Sequence, residues 1–445
     1  MFHGISDNQR KRLNVQSPDM LRKVIGIVMT QMSKHDKYAQ VSVKEGIQRH
    51  GQKAIDAVLT EYAQLNDRNI LEPKHAHELD KEAKREALNL IKLVKGKRCR
   101  KIKGRACADG RKQRRYITKE EVASPTVQLN SLLLTLLMDA QEHRDVATAD
   151  VVGAYLMAPL SDFVLVKIMG NSVDIMCQVQ PAYQDYVVNE KGKKVLYLQL
   201  TKALYGCMQS ALLWHNTFSS RLKQMDFRLN PYDSCVANKK INGSQCTICW
   251  YVDDVKISHV EGDVVSNIIK RLEETFGKMT VTRGRRHTFV GMDIEFKDDG
   301  TVYLTMNEYI KECVDTYRDQ IKHVVATPAK GTLFDEDVGI ASNLIPDEQA
   351  DKFHHTMAKL LFAAKRVRLD IDLAVSFLCT RVANPTVGDE EKLIRTLEYL
   401  EGTPELPRIM GSDGRMFMQH WVDVSYGIHV ICVDIMEGQR VWVVE

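Results

Sequence analysis

The sequence predicts an α+β fold in which an antiparallel sheet is backed by helices. Apolar residues typical of strands, Val, Ile, Tyr and Trp, flank the acidic pair Asp253-Asp254, so the pair falls at the tip of a hairpin. A second β-branched run, residues 146–152, surrounds Asp150. After the hairpin, residues 264–276 repeat apolar side chains at i, i+3 and i+4, which predicts a helix packed on the sheet.

The other elements follow in chain order. Residues 1–40 are polar and basic with weak periodicity, which indicates a loose arm. Amphipathic repeats in residues 41–95 predict helices, the last of them at about 80–95. Residues 160–202 alternate as strands do. Pro, Gly and Asp in residues 320–350 indicate turns and a tether between domains.

The carboxylates indicate the chemistry. Asp150 lies 103 positions before Asp253 in a comparable strand-like setting. An Asp-Asp pair in a hairpin is common turn chemistry by itself. Three carboxylates on neighbouring strands, however, need a neutralising partner, and Mg²⁺ takes such oxygen ligands together with substrate phosphates. Two ions about 3.5–4 Å apart would stabilise the attacking and leaving oxygens of a phosphoryl transfer.

Several segments together resemble a known family. DVVGAY at 150–155 and YVDD at 251–254 resemble the two metal-binding motifs of reverse transcriptases. KALYG at 202–206, with Gln209 and Trp214, resembles the signature of copia-type retrotransposons between those motifs.

Further segments follow in the order that the family has. Residues 103–113 resemble the basic fingers segment, and residues 289–294 resemble the strand that grips the primer end. Residues 304–310 resemble the start of the thumb. Residues 368–371 and 397–403 resemble the helical stretch that follows the polymerase.

The resemblance extends over about residues 40–405 and implies a right-hand polymerase. Such a fold has fingers, a thumb and an antiparallel palm sheet backed by helices, here with a helical C-terminal extension. The implied organisation is a loose arm (1–40), N-terminal helices (41–95), fingers and palm (96–305), the thumb start (306–325), a tether (326–350), a helical post-polymerase segment (351–405) and a truncated RNase H-like remnant (406–445).

The resemblance implies an RNA-directed DNA polymerase that extends a primer on an RNA or DNA template with deoxynucleoside triphosphates. Its cofactor would be two Mg²⁺ ions, with Mn²⁺ as an alternative. The implied catalytic residues are Asp150, Asp253 and Asp254, and the implied metal ligands are these three and Val151.

The resemblance also assigns substrate contacts. Lys103 and Arg105 would face the triphosphate, and Arg105 is favoured because a guanidinium can bind phosphate in bidentate fashion. Tyr155 would lie under the incoming sugar, although a core aromatic is the alternative. The implied substrate-binding set is Lys103, Arg105, Tyr155, Tyr205, Gly206 and Gln209, and the implied primer grip is Phe289, Val290, Gly291 and Met292.

Charge is concentrated in one segment. The chain carries a net charge of only +4, yet residues 95–115 hold eleven Lys or Arg side chains and one acid, Asp109. A stripe of this kind suits phosphate binding, and a solvated loop or a localisation-type cluster is the alternative.

Cysteine usage and hydropathy narrow the class of protein. Of ten cysteines, only Cys246 and Cys249 are spaced as C-x-x-C, and without further ligands they are interpreted as core residues of a strand rather than a zinc site. Unpatterned cysteines and the absence of an apolar leader predict an intracellular protein without a membrane segment. The resemblance implies a location in a cytoplasmic virus-like particle or in the nucleus.

Two departures from the family keep other functions open. Asp423 resembles the first RNase H carboxylate without the other ligands, so no RNase H activity is expected and the chain is interpreted as a piece of a polyprotein. Cys207, Met208, Ala211 and Leu212 stand where the family usually has Leu, Lys, Pro and Arg. A catalytically decayed nucleic-acid-binding remnant, or a structural part of a capsid-associated polyprotein, is therefore the alternative function.

Overall fold

The structure is a computed structural model that describes residues 41–96, 102–118, 120–335 and 343–412. The predicted arm at 1–40 and Asp423 in the predicted remnant lie outside the described residues. The chain divides into two compact units. In the described residues, the first unit comprises 41–132 and 144–284, and the second comprises 133–143 and 285–412.

In its described residues, the first unit contains thirteen strands, six complete helices and the beginning of a seventh. The strands are β1 Val41–Ser42, β2 Leu71–Lys74, β3 Leu88–Gly96, β4 Ile102–Ala108, β5 Asp145–Asp150, β6 Leu165–Met169, β7 Val188–Glu190, β8 Lys193–Leu200, β9 Arg228–Leu229, β10 Val236–Ile241, β11 Ser244–Tyr251, β12 Asp254–His259 and β13 Thr280–Arg283. The helices are α1 Val43–His50, α2 Gln52–Asp67, α3 Lys81–Glu86, α4 Leu129–Gln141, α5 Asn171–Val179, α6 Ser210–Gln224 and α7 Gly262–Phe276. Helix α4 begins in the first unit and ends in the second.

Two sheets organise these strands. Seven strands form a mixed sheet whose path is β1-β3-β6-β8-β2, with β4 paired to β3 and β7 paired to β8. Six strands form an antiparallel sheet in the order β13-β5-β12-β11-β10-β9, which is called the carboxylate sheet below.

Helices α6 and α7 pack against the carboxylate sheet. Phe218 on α6 contacts Trp250 on β11 and Phe276 on α7, with ring centroids 5.2 and 5.7 Å apart. All three rings are buried, so the amphipathic face predicted for residues 264–276 lies in the core. The prediction of an α+β chain with an antiparallel sheet backed by helices is confirmed.

The prediction of a helix at about 80–95 is wrong for most of its length. Helix α3 ends at Glu86, and strand β3 begins at Leu88. Leu88, Leu90 and Val94 are buried on the side of the strand that faces the core, and their even spacing, which begins with two buried residues two positions apart, fits a strand rather than a helix. The strand pairs with β4, which follows it directly in the chain, and with β1 and β6, which lie far from it in the sequence.

The prediction of strands throughout residues 160–202 is also incomplete. Helix α5 interrupts them, and it follows Gly170, whose φ of 64° ends strand β6. Val173 and Met176 on α5 are buried in the same core as the strands. Their i, i+3 spacing is a weak helical signal within a short segment.

The second unit combines one sheet with helices. Its strands are β14 Arg286–Phe289, β15 Met292–Phe296, β16 Val302–Thr305 and β17 Arg408–Met410, paired in that order. Its further helices are α8 Asn307–Asp315, α9 Asp347–Arg366, α10 Asp372–Arg381 and α11 Val387–Gly402. Strand β17 lies within the predicted remnant at 406–445 but completes this sheet by pairing with β16. Within the described residues, no helix has both the length and the apolar character needed to span a membrane.

Candidate active site

The three predicted carboxylates lie where strands of the carboxylate sheet meet a turn. Asp254 at the start of β12 is paired directly with Asp150 at the end of β5, so both side chains lie on one face. Asp253 occupies the turn between β11 and β12, and its carbonyl accepts a hydrogen bond from the Val151 N–H at 3.0 Å. The fold therefore brings Asp150, Asp253 and Asp254 together.

The carboxylates carry negative charge that the protein compensates only in part. Burial is the largest cause that raises the pKa of Asp253; the charge of Asp150 raises it further, and Arg105 and Lys103 oppose the shift. Burial, followed by the charges of Asp253 and Asp150, raises the pKa of Asp254 to about 6. Neither group has a salt bridge within the described residues, so this face suits a bound cation.

The ligand atoms form only part of a metal site. Among the residues that the structure describes, no group of three or more His, Cys, Asp or Glu side chains is gathered closely enough to hold an ion. Mg²⁺ is usually held by one or two carboxylates together with substrate phosphates. The directly opposed Asp150 and Asp254 offer such a pair, so the donor set fits Mg²⁺ when a triphosphate supplies the remaining oxygens.

Trp214, a signature residue without a predicted role of its own, holds the turn that carries Asp253. Val252 has a φ of 56°, a left-handed conformation that a β-branched residue rarely adopts. The indole Nε1 of Trp214 on α6 donates a hydrogen bond to the Val252 carbonyl at 2.6 Å. The buried Trp214 ring packs against Phe218 and Phe276, which fixes the donor beneath the turn.

Three of the predicted side chains form one neighbourhood beside the carboxylates. The Arg105 guanidinium lies 5.5 Å from the ring centroid of Tyr205, and the rings of Tyr205 and Tyr155 are 5.1 Å apart. Burial and then the charge of Asp253 raise the pKa of Tyr155, and the same two causes raise that of Tyr205 to about 12. The predicted triphosphate and sugar contacts are therefore neighbours of Asp253.

The signature loop is pressed against strand β4. Gly206 has a φ of 90°, and a Cβ at this position would collide with the Ala108 carbonyl oxygen. The Ala108 N–H donates to the Tyr205 carbonyl at 2.7 Å. Only glycine combines this backbone conformation with so close an approach. Gly206 therefore positions Tyr205 beside Arg105, whatever contact it makes with substrate.

Gln209 lies in the interior next to this loop. Its side chain is buried, accepts a hydrogen bond from the Gln113 amide at 3.0 Å and donates one to Asp162 at 3.2 Å. The Gln113 amide oxygen also accepts from the Met208 N–H at 3.0 Å. Gln209 thus connects elements of the first unit, and its predicted contact with substrate stays a prediction.

The described part of the basic segment contains cations of two kinds. Arg111 forms an ion pair with Asp109 at 2.6 Å, and Lys112 donates to the Ala87 carbonyl at 3.1 Å. The side chains of Arg114 and Arg115 are exposed and make no hydrogen bond or ion pair to any described residue. These two guanidiniums are available to a phosphate, as is that of Arg105 beside Tyr205.

The residues predicted as a primer-gripping strand form a hairpin in the second unit. Phe289 ends β14 and pairs with Met292, which begins β15. Val290 and Gly291 form the turn, with φ of 50° and 78°. Their predicted contact with a primer stays a prediction.

The cysteines of the C-x-x-C pair are buried on strand β11, as predicted for core residues. Cys246 and Cys249 have no exposed surface, and cysteine in such a position packs as a small apolar side chain.

Comparison with known proteins places these residues in a family. The sequence pattern of the family described as "Reverse transcriptase (RNA-dependent DNA polymerase)" matches residues 90–330. The chain is 24% identical over 363 residues to the retrovirus-related Pol polyprotein from transposon TNT 1-94 of Nicotiana tabacum, covering 76% of this chain and 26% of the relative. It is 23% identical over 308 residues to the Pol polyprotein from transposon RE1 of Arabidopsis thaliana, covering 68% of this chain and 19% of the relative. The chain thus spans about a quarter or less of each of these two polyproteins.

A solved structure is also similar. The foamy viral protease-reverse transcriptase in complex with an RNA/DNA hybrid is 14% identical, with a TM-score of 0.39, over 79% of this chain and 36% of that one. This score is too low to support a conclusion by itself. The sequence match, in contrast, covers more than half of the chain and includes all three carboxylates. The predicted resemblance to copia-type elements is confirmed, and the chain belongs to the reverse transcriptase (RNA-dependent DNA polymerase) family.

Proposed function

We propose that this chain is the polymerase portion of a copia-type Pol polyprotein, and that it extends a primer on an RNA or DNA template. The observation that carries the proposal is the pairing of Asp254 with Asp150 beside the turn that holds Asp253. This arrangement lies next to Arg105 and Tyr155 within the first unit.

The reaction joins a deoxynucleotide to the primer. The primer 3′-oxygen attacks the α-phosphorus of the triphosphate, a new P–O bond forms, and the bond to the β-phosphate oxygen breaks to release pyrophosphate. Two Mg²⁺ ions, or Mn²⁺ in their place, would lower the pKa of the attacking hydroxyl and neutralise the developing charge. Asp150, Asp253 and Asp254 would hold these ions, with the Val151 carbonyl as a further ligand.

The chain's own side chains would orient the substrates. Lys103 and Arg105 would neutralise the triphosphate, and the ring of Tyr205 limits the positions that Arg105 can take. Tyr155 would lie beneath the sugar, with Gly206 and Gln209 shaping the same pocket. Phe289, Val290, Gly291 and Met292 would contact the primer.

Primer extension tests the proposal. Purified protein is incubated with a template-primer, one deoxynucleoside triphosphate and Mg²⁺, and incorporation is compared with and without a chelator. Chelator-sensitive incorporation supports the polymerase. Salt-dependent binding of the template-primer without incorporation supports the second candidate, a decayed nucleic-acid-binding remnant.

The second candidate has its own support. The unusual signature residues Met208, Ala211 and Leu212 favour it. Loss of two basic side chains beside the pocket could weaken triphosphate binding by roughly 1–3 kcal/mol each if they made charge-assisted contacts. None of these departures changes the three carboxylates. We further propose an intracellular site of action, in a virus-like particle or the nucleus, with other polyprotein or capsid parts as partners.

Replacing Tyr155 by Val tests sugar selection. Tyr155 follows Gly153, whose φ of 69° turns the chain after β5, and its half-buried ring lies against Tyr205. A ring under the sugar would collide with a ribose 2′-hydroxyl, so the substitution should raise GTP use relative to dGTP use at least about tenfold, equivalent to ~1.4 kcal/mol. The measurement is the ratio of kcat/KM for the two nucleotides on one template-primer. If both values fall and their ratio is unchanged, Tyr155 is a core aromatic.

Neutralising the exposed guanidiniums of Arg114 and Arg115 tests whether the basic segment binds phosphate. Arg114→Gln with Arg115→Gln should weaken template-primer binding and flatten the dependence of log affinity on log salt by about 0.7–0.9 for each phosphate that the protein no longer neutralises. Titrations at several salt concentrations measure this slope. Arg111→Gln is the matched control, because its guanidinium is already paired with Asp109. An equal slope in the double variant and wild type would show that the segment is merely solvated.

A further inference from the structure

Helix α2 lies outside the family match but contacts three parts of the candidate active site. The match begins at residue 90, whereas α2 covers Gln52–Asp67. Its contacts involve the strand that carries Lys103 and Arg105 and the loop that precedes Tyr155. All of these residues belong to the first unit.

The first contact fixes strand β4 on both sides of Arg105. Glu61 is buried, and its Oε1 accepts a hydrogen bond from the Ala106 N–H at 3.2 Å. One turn earlier on α2, the Ala57 carbonyl lies so close to Gly104 that a Cβ there would collide with it. The backbone is therefore held immediately before and immediately after Arg105.

The second contact fixes the loop between Asp150 and Tyr155. Arg68, at the C-terminal cap of α2, donates from Nη1 and Nη2 to the Val152 carbonyl at 3.1 and 3.2 Å. Nη1 also lies 3.3 Å from the Gly153 carbonyl. A guanidinium that donates several hydrogen bonds to one loop holds it in one conformation.

The third contact joins α2 to the signature loop. The Lys202 ammonium donates to the Arg68 carbonyl at 2.9 Å, so this signature lysine is used inside the protein. The sequence separation of Glu61 from Ala106 is 45 residues and that of Arg68 from Val152 is 84. One rigid helix therefore connects two walls of the pocket that are distant in sequence.

We propose that Glu61 and Arg68 are positioning residues that set the two walls of the nucleotide pocket. Glu61 sets the wall that contains Arg105, and Arg68 sets the wall that contains Tyr155. This inference rests on the proposed polymerase function. Neither side chain needs to touch substrate, because each acts through the backbone next to a predicted substrate contact.

Glu61→Ala tests the first wall. Loss of the acceptor should raise the KM for dGTP about tenfold and change kcat by less than about twofold, since Arg105 no longer has a fixed position. Glu61→Gln keeps an acceptor oxygen and should restore KM to within about twofold of wild type. In an Arg105→Ala background, Glu61→Ala should raise KM no further, because the two changes act through one group.

Arg68→Ala tests the second wall. Release of the loop should lower the preference for dGTP over GTP about fivefold, because the ring of Tyr155 is no longer held in one position under the sugar. In a Tyr155→Val background, Arg68→Ala should not lower this preference further. A purely structural role would change the melting temperature and leave the preference unchanged.

Two control variants on the same helix separate positioning from loss of stability. Gln52→Ala changes an exposed side chain of α2, and Leu65→Ala removes buried volume from the core. Neither should change the KM for dGTP or the sugar preference. If Leu65→Ala reproduces the effects of Glu61→Ala, or if Glu61→Ala leaves KM unchanged, the positioning role of Glu61 is wrong.

Two readouts do not depend on activity. Amide hydrogen exchange in residues 102–108 should quicken in Glu61→Ala and not in Glu61→Gln. Equilibrium binding of dGTP with Mg²⁺ should weaken about tenfold in Glu61→Ala. If wild type binds dGTP but incorporates none, the proposed polymerase function fails while these two measurements still decide the role of Glu61. If Glu61→Ala changes neither the amide exchange in residues 102–108 nor the binding of dGTP, the positioning role of Glu61 is wrong.

Discussion

Asp253→Asn should lower Mg²⁺-dependent primer extension by about a thousandfold or more, equivalent to about 4 kcal/mol of transition-state stabilisation. The substitution keeps the size of the side chain and removes the charge that would hold a cation. Because Asp150 and Asp254 are directly paired beside the turn, Asp150→Asn should have a similar effect. Rates of single-nucleotide incorporation under saturating dGTP measure the loss.

The fold should survive these substitutions. Burial and the repulsion from Asp150 raise the pKa of Asp253, so the charged form is disfavoured in the folded protein. Asp253→Asn removes this repulsion, and its melting temperature should equal or exceed that of wild type. Template-primer affinity should stay nearly constant. Asp226→Asn is the matched control, since Asp226 is an exposed carboxylate of the same unit, and its extension rate should not change. Comparable extension by Asp253→Asn and wild type would rule out the two-metal assignment.

Local patterns were sufficient to predict the strands that carry the carboxylates. β-Branched residues on both sides of Asp253-Asp254 and around Asp150 specify strands, and a two-residue turn leaves few ways to pair them. The observed register places Asp254 opposite Asp150, as the prediction of a shared site requires. The amphipathic spacing of residues 264–276 likewise predicted which face of α7 is buried.

Contacts between distant residues could not be predicted in this way. Nothing near Trp214 indicates that its indole donates to Val252, 38 residues later, and nothing near Glu61 or Arg68 indicates which backbone atoms they bind. The error at Leu88–Gly96 has in part the same origin, because pairing with the distant strands β1 and β6, as well as with the neighbouring β4, decides the conformation of that segment. Helix propensity and periodicity report only local preferences.

The two segments that resemble the helical stretch after the polymerase, residues 368–371 and 397–403, are in contact through the side chain of Arg368. Arg368 has a side chain with no exposed surface, and its Nε and Nη2 donate to the two oxygens of Asp370 at 3.0 and 2.7 Å. Its Nη1 donates to the Thr403 carbonyl at 2.8 Å, at the C-terminal cap of α11, and its Nη2 donates to the Thr403 hydroxyl at 2.7 Å. The two motifs are therefore held together by one buried guanidinium.

Arg368→Met should destabilise the protein by about 1–3 kcal/mol, because it leaves the Thr403 carbonyl without its donor and removes the ion-pair partner of the partly exposed Asp370 carboxylate. Burial raises the pKa of Asp370, but the hydrogen bonds and charge of Arg368 outweigh burial and hold that pKa below its usual 3.8. A carboxyl whose pKa is lowered in the folded state contributes stability above the unfolded pKa and loses it as pH falls. The difference in stability between wild type and Arg368→Met should therefore shrink below about pH 3.8. Thermal unfolding followed across this pH range measures both effects.

A second substitution separates the effect of the Asp370 charge from that of packing. Adding Asp370→Asn to Arg368→Met removes the carboxylate that has lost its partner and should recover only a small part of the lost stability, because this side chain is partly exposed and the Thr403 carbonyl still lacks its donor. Arg318→Met is the matched control in the same unit: its guanidinium pairs with Asp315 and Glu401 at the surface, where solvent screens the interaction, so its melting temperature should change little. Equal loss of stability in Arg368→Met and Arg318→Met would show that the pair does not hold the two motifs together. An unfolding difference that persists unchanged to low pH would assign the loss to packing rather than to the charge of Asp370.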